Sequence, residues 1–175
     1  MERPDYDLFL IPDYTVRYLR AGDETLIFDL MQRCAEFSLL VSGQPPEPQE
    51  AADLLVDLPP GKGLEDKFAM GVFDGPEKLL GLVDLIRGYP RPEVWFIGLM
   101  QLDPAYRGQG LGRQLYQALE AWSIQRGARE IMLGVVAQNV DGLAFWEKLG
   151  FQVIDRKPGK FGLVETAVLV MQKPV

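Results

Sequence analysis

An apolar, strand-like run ending at Leu102 gives way to helical periodicity at Leu111, and the junction reads LDPAYRGQGLG. Gly108, Gly110 and Gly112 fall on alternate positions there. A glycine inside a helix weakens it by about 1 kcal/mol relative to alanine. Three of them at a helix start therefore imply a demand for bare backbone. A strand that enters a glycine-rich turn and then a helix N-terminus exposes unpaired N–H groups and the positive end of the helix dipole. That arrangement suits a phosphate group. Whatever else the chain forms, it must contain this strand-turn-helix unit.

The pattern on either side sets the fold class. Tyr14 to Leu19 alternate as an opening strand, and Asp23 stands as N-cap to one helix running through Leu26, Ile27, Leu30, Met31, Cys34 and Phe37. SGQPPEP is a proline-rich break, and EAADLLVDL predicts a short second helix. Strands are expected over Lys67–Phe73, Leu79–Arg87 and Glu93–Leu102, joined by turns too short for parallel crossovers. Leu111, Leu115, Ala118, Leu119 and Trp122 share a helical face, with Gly127 beyond its end. A strand over Ile131–Val136 follows, then a helix capped by Asn139 and closed by Gly150. The last strands, Phe151–Asp155 and Leu163–Gln172, flank RKPGKFG, read as a loop. The result is α+β: one domain with a mixed, mostly antiparallel sheet of six to seven strands flanked by about four helices. Residues 14–175 form the domain, and 1–13 an N-terminal extension.

Composition bounds the chemistry. A length of 175 residues, 47% of them apolar, suits a single core. A net charge of -7 opposes general attraction to nucleic acid or anionic membrane. The start of the chain lacks a secretory pattern, and no apolar run is long enough to span a bilayer. With the lone Cys34, these features predict a cytoplasmic protein. Histidine is absent altogether, which removes Ser-His-Asp and Cys-His constellations and imidazole metal sites; no metal is expected.

Two familiar phosphate loops fail on spelling. A P-loop needs Gly-Lys followed by Ser or Thr, but Gly112 precedes Arg113 and Gln114. The dinucleotide fingerprint needs G-x-G-x-x-G early in a βαβ unit, whereas this is G-x-G-x-G after an antiparallel meander.

The spelling Arg107-Gly108-Gln109-Gly110-Leu111-Gly112 after Leu102-Asp103-Pro104 resembles the pyrophosphate-binding motif of the GNAT superfamily of N-acetyltransferases. A second signature follows in the order usual for that family: Asn139, a short helix, and Phe145-Trp146-Glu147-Lys148-Leu149-Gly150-Phe151 in place of an ending like Tyr-Glu-Lys-Leu-Gly-Phe. The resemblance implies a GNAT-like fold from about Tyr14 onward, with the strands before the two motif helices splayed apart. It also implies acetyl-CoA as co-substrate, and direct transfer of an acetyl group to a primary amine of a small molecule or peptide. The pyrophosphate would lie on amides between Arg107 and Arg113, including those of Gln109 and Leu111. Met100, Gln101 and Leu102 would offer main-chain groups to the pantetheine arm and the thioester carbonyl, and Asn139 and Trp146 would border the same site. Homodimerisation is implied by analogy alone.

One departure stands out. Many relatives place an acidic Tyr where this chain has Trp146, and an indole N–H donates a hydrogen bond but is no practical proton source. Trp146 either packs against the cofactor or is a core aromatic, and no general acid is assigned. Candidate bases are Asp84, in an apolar stretch, and Glu93, which opens the strand leading to the thioester. The competing readings are that Asp84 pairs with Arg87 or Arg91 and that Glu93 is a solvated strand end. Cys34, without a histidine to activate it, is expected in the core. Acids at 47, 50, 53, 57, 65 and 66 in the expected acceptor region favour a cationic amine. The alternative class is a noncatalytic acyl-CoA-binding module.

Overall fold

A computed structural model describes residues 7–175. One seven-stranded sheet runs through it in the order β1-β2-β3-β4-β5-β7-β6, built from β1 Thr15–Tyr18, β2 Lys67–Phe73, β3 Leu79–Arg87, β4 Val94–Leu102, β5 Glu130–Val136, β6 Gln152–Phe161 and β7 Val164–Pro174. Every pairing is antiparallel except β4 with β5. Helices α1 Glu24–Arg33, α2 Ala35–Ser42 and α3 Pro48–Val56 precede β2; α4 Leu111–Ile124 and α5 Val140–Lys148 flank β5. The expected fold class is observed.

Each face of the sheet carries its own apolar layer. Phe68, Met70, Val83, Trp95 and Ile97 pack with Leu111, Leu115, Leu119 and Trp122 of α4 and Trp146 of α5. On the opposite face Ala69, Phe73 and Leu82 meet Ile27, Leu30 and Met31 of α1 and Ala51, Leu54 and Leu55 of α3. Strands covered on both sides read as unbroken apolar runs, which is why KFAMGVF is buried at every position.

Two expectations are corrected. The single first helix breaks at Cys34, whose N–H bonds to both the Leu30 and Met31 carbonyls. Its thiol reaches the Leu102 carbonyl at 3.5 Å. Helical spacing continues through the break and does not encode it. The expected loop over 156–162 is instead the second half of β6, paired with β7 as far as Phe161↔Val164. Pro158 is tolerated because β6 lies at the sheet edge, where a missing N–H costs no ladder bond. Of the expected extension over 1–13, residues 1–6 lie outside the described residues; Ile11 is buried in the core.

Candidate active site

The parallel ladder between β4 and β5 holds for four pairs, from Val94↔Glu130 to Ile97↔Leu133, and then stops. At that point the β3–β4 register slips between Asp84 and Leu85, so that Ile97 pairs with Leu85 and Leu99 with Asp84, leaving Gly98 as the bulged residue. Beyond it β4 stays with β3 while β5 stays with β7, and the two strands diverge. A cavity of about 210 Å³ opens in the divergence. Gly98, Leu99 and Met100 line it on one side and Leu133, Gly134, Val135 and Val136 on the other.

Main-chain groups of β4 point into this gap. The Asp103 N–H donates to the Leu80 carbonyl at 2.7 Å. By the alternation of an antiparallel ladder, Gln101 also turns its polar groups toward β3, while Met100 and Leu102 turn theirs toward the gap. Gln101 is thus half of the expectation only: its main chain belongs to the ladder, and its buried side-chain oxygen has no hydrogen-bond partner among the described residues.

The strand then leads through a 3-10 turn, Pro104–Tyr106, into the glycine loop. Gly108 has φ +71° and Gly110, the N-cap of α4, has φ +88°, and nothing lies within 4 Å of a side chain added at either. Both glycines are there for conformation and leave open space above the loop. Gly112 differs: a Cβ there would touch the Phe145 ring at 3.4 Å, so it lets α4 and α5 approach. The first N–H groups of a helix have no intrahelical partner, and no hydrogen bond among the described residues reaches the amides of 108–113. The side chain of Gln109 donates to the Ala105 carbonyl, and that of Arg113 is exposed.

Arg107 is placed otherwise than over the loop. Its guanidinium donates to the Leu102 carbonyl at 2.8 Å, to Glu36 and to the Cys34 sulfur at 3.5 Å. It ties the start of the glycine loop to the α1–α2 break. Burial pushes the Cys34 thiol pKa up, opposed by Arg107, so the buried sulfur is an unreactive thiol.

Asn139 caps α5, its side chain accepting the Gly142 N–H at 3.0 Å, and lines the cavity. Trp146 also lines it while packing edge-on against Tyr116, Phe145 and Phe151, so it is both core aromatic and cavity wall. Tyr116 is wholly buried, which raises its phenol pKa far above the usual range.

The two candidate bases part company. Glu93 sits at the far end of β4 from the bulge, outside the cavity lining, beside Arg91 at 3.1 Å. Its own amide N–H, then Arg91, hold its carboxyl below the usual range. Asp84 adjoins the bulge: its Oδ2 lies 2.9 Å from where a Gly98 Cβ would be. It pairs with Lys67, whose wholly buried ammonium bonds Asp84 at 2.7 Å and the Asp57 carbonyl at 2.8 Å.

Three of the six acids expected to draw a cation have other duties. Glu50 accepts the Glu47 N–H at the start of α3, Asp53 accepts from Gln49, and Asp66 pairs with Lys62 and Arg87. None lines the cavity. Its outer wall is Phe37 and Val41 of α2 with Phe161 and Val168 of the β6–β7 hairpin, apolar residues that carry no chemical mark in the sequence. The available signal was a lone glycine inside each apolar strand, Gly98 and Gly134, which marks a bulge or a close approach. A Gly134 Cβ would sit 2.9 Å from Val168. The wall is braced: Leu163 N–H donates to the Ser42 carbonyl at 2.8 Å, and Gln138 bridges the Leu40 carbonyl and Thr166.

The family model described as Acetyltransferase (GNAT) family matches residues 26–151, well over half the chain and both motifs. The chain belongs to the GNAT acetyltransferase family. Among curated relatives, the mycothiol acetyltransferase of Corynebacterium efficiens is 41% identical over 64 residues, 37% of this chain and 21% of that protein. The N-alpha-acetyltransferase 30 of Schizosaccharomyces pombe is 38% identical over 56 residues, 32% of this chain and 37% of that protein. The matched part of this GNAT chain thus spans about a fifth to a third of the length of these relatives. Among solved structures, an acetyltransferase from Thermus thermophilus covers 96% of this chain and 100% of its own, with a TM-score of 0.73 at 22% identity. The ribosomal-protein-S18-alanine N-acetyltransferase from Escherichia coli covers 93% and 94%, with a TM-score of 0.68 at 20% identity. At those identities the likeness shows that the GNAT fold is shared. No helix among the described residues is long and apolar enough to cross a membrane, and no cluster of metal-ligating side chains occurs among them.

Proposed function

We propose that the chain binds acetyl-CoA and transfers its acetyl group directly to a primary amine. The observation that carries this reading is the continuity of β4. One strand leads from the cavity at Gly98–Met100 to the open amides of the glycine loop, which suits a long ligand with an acyl group at one end and phosphates at the other. Bound there, the thioester supplies an activated acetyl group.

The remaining functions fall to the protein. The amides of 108–113 and the N-terminal dipole of α4 hold the pyrophosphate. Met100 N–H, the first gap-facing donor past the bulge, stabilises charge developing on the acyl oxygen more than the ground-state carbonyl. Trp146 and Asn139 wall the acyl end. Asp84, the nearer of the two candidate carboxylates, takes the amine proton through water. No side chain is assigned as acid. Cys34, buried with its pKa raised, supports direct transfer over a covalent acyl-enzyme route. The protein acts in the cytoplasm on a small-molecule or peptide amine.

A noncatalytic acyl-CoA-binding role draws support from the absence of titratable side chains in the cavity lining. One experiment tests both. Thermal unfolding with acetyl-CoA, CoA, ATP or NAD should show concentration-dependent stabilisation by the two CoA species, and an amine panel should release CoA thiol. No stabilisation by either CoA species refutes the binding site. Stabilisation without thiol release refutes the transferase in favour of the module.

A further inference from the structure

Of the fourteen residues lining the cavity, only Asn139 and the indole of Trp146 carry polar side-chain groups, and none is ionisable. Among the apolar lining residues are Phe37, Val41, Leu99, Phe161 and Val168. Asp84, beside the Gly98 bulge, already has the buried Lys67 ammonium at 2.7 Å, so an incoming cation does not meet a bare carboxylate there. The acids of α3 and the segment before β2 are outside the lining. An ammonium entering here gives up water and finds no counter-ion, a cost that rises with the fraction of time the amine is charged.

From this lining we infer that the acceptor is an α-amine carrying an apolar side chain, as in an amino-acid amide or a peptide N-terminus, rather than a polyamine or a lysine side chain. The inference rests on the acetyl-transfer reading above and narrows it. An α-amino group has a pKa of about 7.7–8.0 and a lysine-type amine about 10.4, so near neutral pH the neutral fraction differs by roughly several hundred-fold. Greater intrinsic nucleophilicity of the more basic amine offsets part of that. In the step itself the neutral nitrogen forms the C–N bond with its lone pair as the C–S bond breaks. The sulfur keeps the bonding electrons, and the proton released from nitrogen passes through water to Asp84. An apolar side chain on the α-carbon fills the wall formed by Phe37, Val41, Phe161 and Val168, and a hydrophobic pocket discriminates about tenfold or more per methylene.

The test is CoA-thiol release at neutral pH with leucinamide, phenylalaninamide, glycinamide, Nα-acetyl-lysinamide and spermidine, with acetyl-CoA binding followed in parallel by calorimetry. Expected is a kcat/KM at least tenfold higher for leucinamide or phenylalaninamide than for Nα-acetyl-lysinamide and spermidine, and higher than for glycinamide. Phe161→Ala should shrink the leucinamide-to-glycinamide ratio at least threefold. Equal or better turnover of the lysine derivative or spermidine overturns the acceptor class while leaving acetyl transfer standing. Bound acetyl-CoA with no amine turned over overturns both. A leucinamide-to-glycinamide ratio unchanged in a folded Phe161→Ala variant removes the apolar wall from the specificity.

Discussion

Helix α4 offers a paired test of the glycine loop, because left-handed glycines stand at both of its ends. Gly110 at the N-cap has φ +88° and Gly127, past the C-terminus, has φ +95°; neither has any atom within 4 Å of an added Cβ. Alanine at either position therefore costs backbone strain without a clash, about 1–2 kcal/mol for an L-residue in the left-handed region. For a chain of this size, that corresponds to about 2–8 °C in Tm. Gly110→Ala also puts a methyl group into the open space above the loop amides. Losing one charge-assisted hydrogen bond to a phosphate costs about 1.5–3 kcal/mol, or about ten- to a hundredfold in Kd. Calorimetric titration with acetyl-CoA, alongside thermal unfolding of the free proteins, separates the two effects. Both variants should lose similar stability, and only Gly110→Ala should lose affinity. A Gly110→Ala variant that binds acetyl-CoA within twofold of the parent would refute the assignment of the loop as an anion cradle.

Two further predictions concern charged groups. Lys67→Met removes a wholly buried ammonium from beside Asp84 and should cost about 3 kcal/mol in urea unfolding; adding Asp84→Asn should recover part of it, and a single-variant loss under about 1 kcal/mol would show that the pair is not holding the bulge. Asp23 accepts two hydrogen bonds from Arg17, at 2.8 Å each, which together with the Arg20 amide overcome partial burial and hold its pKa below the usual range. A depressed carboxyl stabilises the fold above its unfolded pKa of about 3.9 and loses that contribution as pH falls through its folded value. The stability difference between the parent and Asp23→Asn, about 1 kcal/mol at neutral pH, should accordingly be flat from pH 5 to 8 and shrink below pH 4. A difference that instead grows on acidification would contradict the sign.

How much the sequence disclosed depended on whether a feature was written in punctuation or in apolar side chains. β2 and β3 begin and end where expected because Asp74-Gly75 and the GYPRP turn bracket them. The glycine loop and the Asn139 cap were legible for the same reason: left-handed φ and exposed amides demand particular residue types. The break at Cys34 was not: the contact made there is with Leu102, 68 residues away. Nor was the cavity wall. Phe37, Val41, Phe161 and Val168 carry no chemical mark that separates a site from a core. The hairpin was hidden by Pro158, Gly159 and Gly162, which read as a loop until the edge position of β6 is known. The acids of α3 showed their charge in the sequence but not their bonds, such as Glu50 to the Glu47 N–H and Asp53 to Gln49.

The ladder between β4 and β5 has one more consequence. Neighbouring strands in register stand about 4.8 Å apart, too close for a ligand's chain to pass between them. Capacity at this site is therefore set by a rung count: four rungs close the sheet up to Ile97 and Leu133, and each further rung would take one residue pair from the cleft without altering any side chain in it. The extra residue at Gly98 works as a stop on that ladder. In this protein the open space between β4 and β5 comes from an interruption in the backbone pairing, and the side chains around it only line it.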